Sequence, residues 1–170
     1  MFLAVLLASL SLHIYPSEID SLLRELDMSI RNRPQYTLKR QEQIDALQRK
    51  LRLSHSDQER YDLYRELFGK YRSYRMDSAL WVANQRVELA KRMKNPLYIR
   101  SAELNIAEVM IGVAMYKEGL EILDGIKSAD LDASGVSYYY YQYHQVYTLM
   151  ADYAFSDQMK EHYRGLAYQY

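Results

Sequence analysis

Apolar residues recur along this chain at the three-and-four spacing of helices. After Pro16-Ser17, Ile19, Leu22, Leu23, Leu26 and Ile30 form one stripe. Ser17 suits an N-cap, with Glu18 and Asp20 placed to complement the helix dipole. Arg33-Pro34 predicts a break, because proline removes a donor and restricts its predecessor. Leu38, Ile44, Leu47 and Leu51 then share a side of a second helix, so residues 17–53 read as a helical pair. Ser56 and Glu59 have capping-box spacing. The next stripe is Tyr61, Tyr64, Leu67, Phe68 and Tyr71. A tight turn near Ser73–Asp77 leads to Ala79, Leu80, Ala83, Val87 and Ala90, and Asn95-Pro96 closes that helix. Leu97 to Val113 reads as a helix dense in small and branched residues: Ala102, Ile106, Ala107, Met110, Val113 and Ala114. Leu120, Leu123 and Ile126 follow, then a polar loop from Asp130 to Gly135. A tyrosine-rich helix runs to about Tyr153, and Met159, Tyr163 and Leu166 mark the last.

Helices that follow a turn start near Met76, Tyr116 and Phe155, about 40 residues apart. One helical hairpin per period predicts an all-α solenoid, with hairpins over 54–95, 96–130 and 131–170. Composition agrees: 6 Gly and 3 Pro leave few tight turns, and 18 Tyr against 3 Phe and 1 Trp suit the edge of a thin core. Lys+Arg and Asp+Glu both number 22, so no net charge draws the chain to nucleic acid or anionic membrane. Lys39, Arg40, Arg49, Lys50 and Arg52 form a basic face, but Glu42 and Asp45 interrupt it, and a solvated face is the reading. With no cysteine, disulfides and thiolate chemistry are excluded.

Phe2 to Leu12 form an apolar run of signal-peptide length, too short to span a bilayer, and residues 1–16 read as a secretory signal. That predicts an exported chain. A buried first helix is the alternative. His13, His55, His144 and His162 lie in no metal-ligand spacing, although His144 and His162 could face each other across the last hairpin. No nucleophile elbow or glycine-rich phosphate loop is present, and Gly112 and Gly119 suit helix packing. The reading is a non-enzyme with no catalytic residue, cofactor or metal.

Ala114-Met115-Tyr116-Lys117-Glu118-Gly119 resembles the G-x-Y-x-x-A core of a tetratricopeptide repeat, with Ala and Gly exchanged. Met76 with Ala79, and Phe155, hold the corresponding places in the neighbouring units. The resemblance implies a right-handed α-α superhelix. Residues 19–27, then Arg33-Pro34-Gln35-Tyr36 and Asp77-Ser78-Ala79-Leu80, are similar to the N-terminal part of Bacteroidetes tetratricopeptide regulators with a helix-turn-helix domain. It implies a periplasmic sensing fragment of a membrane-bound transcriptional regulator, with the membrane helix and DNA-binding domain in a downstream segment.

Four consecutive tyrosines, Tyr138 to Tyr141, must point nearly all round a helix turning 100° per residue. Tyr139, Tyr143, Val146, Tyr147, Met150 and Ala154 share an apolar face. Tyr138 and Tyr141 fall toward its edges, and Tyr140 points elsewhere as the best candidate for open surface. In a solenoid, the first helix of each hairpin lines the concave side. Tyr61, Tyr64, Tyr71, Tyr140, Tyr143 and Tyr147 are therefore the candidate partner-binding residues, weighed against packing between hairpins with hydroxyls at the rim. The functional expectation is a protein- or peptide-binding module that does not bind nucleic acid through this segment. The alternative is a scaffold that self-associates through its last hairpin and N-terminal helices.

Overall fold

A computed structural model describes residues 16–170, with side chains from residue 19 onward. The run Phe2–Leu12 lies outside the described residues. The described chain holds seven α-helices and no strand: α1 (Pro16–Leu53), α2 (Asp57–Tyr71), α3 (Met76–Arg92), α4 (Pro96–Gly112), α5 (Tyr116–Asp124), α6 (Ala133–Asp152) and α7 (Asp157–Ala167). A 3₁₀ turn, Ser128–Asp130, lies between α5 and α6. Two compact units divide the chain, one ending at Gln43 and one spanning Ile44–Tyr170.

The expected helical pair over 17–53 is a single helix with Pro34 inside it. Proline forfeits one backbone hydrogen bond, at a cost of about 3 kcal/mol in a helix interior. The flanking Arg, Gln, Leu and Lys residues have high helix propensity and continue the helix on both sides. In the first unit, Ile19, Leu22, Leu23, Leu26, Ile30 and Leu38 are all about half exposed or more. Among the described residues no helix is long and apolar enough to cross a membrane.

In the second unit, caps and turns fix where each helix begins. Ser56 accepts from the Glu59 N–H at 3.4 Å, but the Glu59 carboxylate accepts from Ser54 Oγ at 2.7 Å, so the capping box closes on Ser54. Asn95 caps α4 with Pro96 at its first position, and Asp132 and Ser156 cap α6 and α7. At the α4–α5 turn, Ala114 adopts the left-handed conformation with φ 62°. Its N–H donates to the Ile111 carbonyl, and the Met115 N–H donates to Met110 at 2.8 Å, as in a Schellman ending. A Cβ on Gly119 would sit 2.8 Å from Ile111 Cγ1. The exchange of Ala and Gly in this motif thus leaves strain at Ala114 and grants close approach at Gly119.

Two apolar clusters hold the hairpins together. Ile44 and Leu47 join Tyr61, Tyr64, Leu67, Phe68, Tyr71 and the α3 face in the first. The second gathers Leu104, Ala107, Ile111, Leu123, Ile126, Tyr143 and Val146. Helix α4 contributes to both, Ala102 and Val109 to the first and Leu104 and Ile111 to the second. A helix in the middle of a stack is buried on two sides, while Val113, just past its end, is 43% exposed. Met76 and Tyr116 pack against the clusters at their turns, whereas Phe155 is 97% exposed and plugs nothing.

Candidate functional site

The first helices of the three hairpins, α2, α4 and α6, border a cleft of about 380 Å³. Arg65 and Gly69 line it from α2, Arg72 from the C-terminal cap of α2, Asn105 from α4 and Tyr138 from α6. Arg86, carried by α3, closes it from below at 2% exposure.

Arg86 holds the chemistry of this cleft. Its Nη2 donates to the Tyr61 hydroxyl at 2.8 Å, and its Nη1 donates to Asn105 Oδ1. The guanidinium carbon lies 4.4 Å from the centre of the Tyr61 ring. Its Nε has no hydrogen-bond partner. Every group bonded to this cation is neutral. Burial lowers the Arg86 pKa from its ordinary value, against the pull of Tyr61. The Tyr61 hydroxyl donates onward to the Tyr98 carbonyl at 2.8 Å, and the two rings stack at 4.5 Å. Burial raises the Tyr61 pKa.

The other two arginines have acidic neighbours. Arg65 lies 3.3 Å from Asp62. Arg72 pairs with Glu108 at 2.8 Å, which raises the Arg72 pKa. Glu108 also accepts from the Tyr138 hydroxyl, and burial together with that carboxylate pushes the Tyr138 pKa far up. Asn105 Nδ2 reaches the same hydroxyl at 3.5 Å. The polar groups thus run in a chain from Arg86 through Asn105, Tyr138 and Glu108 to Arg72, tying α3, α4, α6 and α2 together. Gly69 faces open space, since a Cβ there would meet nothing within 4 Å.

The six tyrosines singled out from sequence do not share one surface. Tyr61, Tyr64 and Tyr71 are 2%, 4% and 6% exposed, so their rings are core, and of the three only Tyr61 lines the cleft. The Tyr71 hydroxyl accepts from Gln48 at 3.0 Å. Tyr143 is buried, donates to Asp124 at 2.6 Å and stacks on Tyr170 at 4.5 Å. Burial and Asp124 push its pKa far up. Tyr147 is half-buried beside it. Tyr140 is exposed but lies 6.0 Å from the Tyr170 ring, and Tyr141 is the more open of the two at 54%. His144 turns its Nδ1 to the Ala167 carbonyl at 3.0 Å, so it meets the end of α7 rather than His162. Among the described residues no cluster of three metal-ligating side chains occurs.

Sequence reasoning missed Arg86, Asn105 and the cleft arginines. One signal was there. Arg86 falls three residues after Ala83 and four before Ala90, on the apolar face of its helix, where a charge needs a reason.

Residues 30–170 match the family model described as the SusR N-terminal TPR domain. The match covers well over half of the chain, so the chain belongs to that family. It is a helical repeat domain of the kind that mediates protein–protein interaction. No curated protein matches the chain, and no solved structure does.

Proposed function

We propose that this SusR-type repeat domain binds an extended protein segment in the cleft between α2, α4 and α6, through a carboxylate on that segment. The buried Arg86 guanidinium carries the reading, because it is bonded only to neutral groups. A buried cation is costly unless compensated, and a ligand carboxylate entering above it supplies the missing charge in a region of low dielectric. Arg65 and Arg72 add positive charge at the rim, moderated by Asp62 and Glu108. Gly69 leaves room for a ligand backbone to lie against α2.

The test is to pan a random peptide library on the full chain and measure the selected peptides by fluorescence anisotropy. Binders should be rich in Asp, Glu or free C-termini. Replacing those carboxylates by amides should weaken binding at least about tenfold, or 1.4 kcal/mol. Binders indifferent to amidation would reject the reading.

The finer role we propose is the sensing part of an exported, membrane-bound regulator. The family description and the apolar run Phe2–Leu12 support it. Fractionating cells that express the native gene checks this, and recovery of the domain in the cytosol would refute it.

A further inference from the structure

One apolar side chain of the cleft takes no part in the core. Tyr61, Phe68, Tyr98, Leu104 and Tyr138 line the cleft and each also packs into one of the two apolar clusters. Leu97 lines the cleft too, from the first turn of α4 just after the Asn95 cap and Pro96. Among the described residues it packs into neither cluster, and it is half-buried. A lone leucine on an open surface is ordinary, but one in a concave cleft beside a buried cation offers apolar area that only a ligand can cover.

We propose that the segment bound in this cleft carries an aliphatic side chain, packed on Leu97, about two residues from the carboxylate that meets Arg86. The inference rests on the carboxylate reading and adds the group that selects among acidic segments. The spacing follows from the helix. The lining residues extend along α2 from Tyr61 to Arg72 and along α4 from Leu97 to Asn105, so the cleft runs with the helix axes. At 100° per residue, Leu97, Ser101 and Asn105 fall within an arc of about 80° on α4, each about 6 Å further along. Asn105 holds one end of the Arg86 guanidinium, and the other end reaches the Tyr61 hydroxyl. That hydroxyl donates to the Tyr98 carbonyl, in the first turn of α4. The guanidinium therefore lies between the levels of Tyr98 and Asn105, its middle about one helical turn beyond Leu97. An extended segment rises about 3.3 Å per residue and turns alternate side chains to the same face, so one turn of α4 matches two residues of ligand. Charge steers acidic segments to the cleft without telling them apart, whereas covering Leu97 rewards a particular neighbour. An aliphatic side chain seated there also displaces water beside the carboxylate and strengthens its attraction to Arg86.

A pool of end-capped peptides with one central Glu and randomised flanks, panned on the full chain, tests it. Leu, Ile, Val or Met should be enriched within two positions of the Glu, and a pool without that enrichment would overturn the inference. A selected peptide is then titrated by fluorescence anisotropy against the wild type and Leu97→Gln. Glutamine has high helix propensity and Leu97 serves neither cluster, so this variant should keep the helical circular dichroism of the wild type. Replacing the peptide's aliphatic residue by Ala should weaken binding about tenfold on the wild type and about twofold or less on Leu97→Gln. Replacing its Glu by Gln should cost about tenfold on both proteins. An aliphatic preference that survives in Leu97→Gln, or none on the wild type, would overturn the inference and leave the carboxylate reading standing. Indifference to the loss of the Glu would overturn that reading and this inference with it.

Discussion

Helices α2 and α6 are both rich in tyrosine and both open a hairpin, yet they use the residue differently. Tyr61, Tyr64 and Tyr71 of α2 are sealed in the first cluster, where the end of α1 and helix α3 supply apolar neighbours. The tyrosines of α6 are graded, from Tyr143 at 4% through half-buried Tyr138, Tyr139 and Tyr147 to Tyr141 at 54%. Their rings lean on one another and on Tyr170. The number of helices around a tyrosine decides its burial, and the phenol adapts: it is core when surrounded and a wet rim when not. The contact area of α2 is therefore spent inside the fold, and its outward chemistry comes from arginines.

The largest effect should separate the two helices directly. Tyr64→Ala removes a sealed ring that meets Trp81 edge-on and should cost about 3–5 kcal/mol in urea unfolding. Tyr141→Ala should stay within about 0.5 kcal/mol. Next comes Arg86→Met, which keeps an apolar stem but leaves Asn105 Oδ1 without its donor, for a loss of about 1–3 kcal/mol. In the turn between the two tyrosine helices, Ala114→Gly should stabilise by about 0.5–1 kcal/mol, because glycine adopts the left-handed conformation without strain.

The smallest effect concerns the start of α6. Asp132 accepts from the Gly135 N–H at 2.7 Å and from Ser134 Oγ at 2.8 Å, and the backbone bond holds its pKa below the ordinary 3.8. A carboxyl depressed in the fold contributes stability that is complete above its unfolded pKa. That stability is lost as pH falls through the lower folded value. Asp132→Ala should therefore lower stability at about pH 7, and its difference from wild type should shrink by about pH 3.

Local periodicity made the fold readable. The stripes of α2 and α3 are one-sided, and most of their core residues follow from the three-and-four spacing, although buried Leu63, Val82 and Leu89 fell outside it and Leu80 is only half-buried. Helix α4 resisted because Leu104 and Val109 face different clusters, and a two-sided helix has no single stripe. Pro34 misled because the helix runs through it despite the one lost hydrogen bond. The cleft was mostly hidden: Arg86, Asn105 and Tyr138 lie on separate helices, and only packing brings them into one polar chain. Tyrosine count pointed to the right helices and to the wrong atoms, since exposure depends on neighbours that a helical wheel does not contain.

The cleft is tested most directly by a carboxylate-bearing peptide selected on the wild type and titrated against Gly69→Trp and Tyr141→Ala. A side chain at residue 69 enters open space, so Gly69→Trp should fold as the wild type does while filling the cleft. The account predicts that Gly69→Trp weakens binding at least about tenfold and that Tyr141→Ala leaves it unchanged. Full affinity in Gly69→Trp, or its loss in Tyr141→Ala, would contradict the account and move recognition to the outer tyrosines of α6.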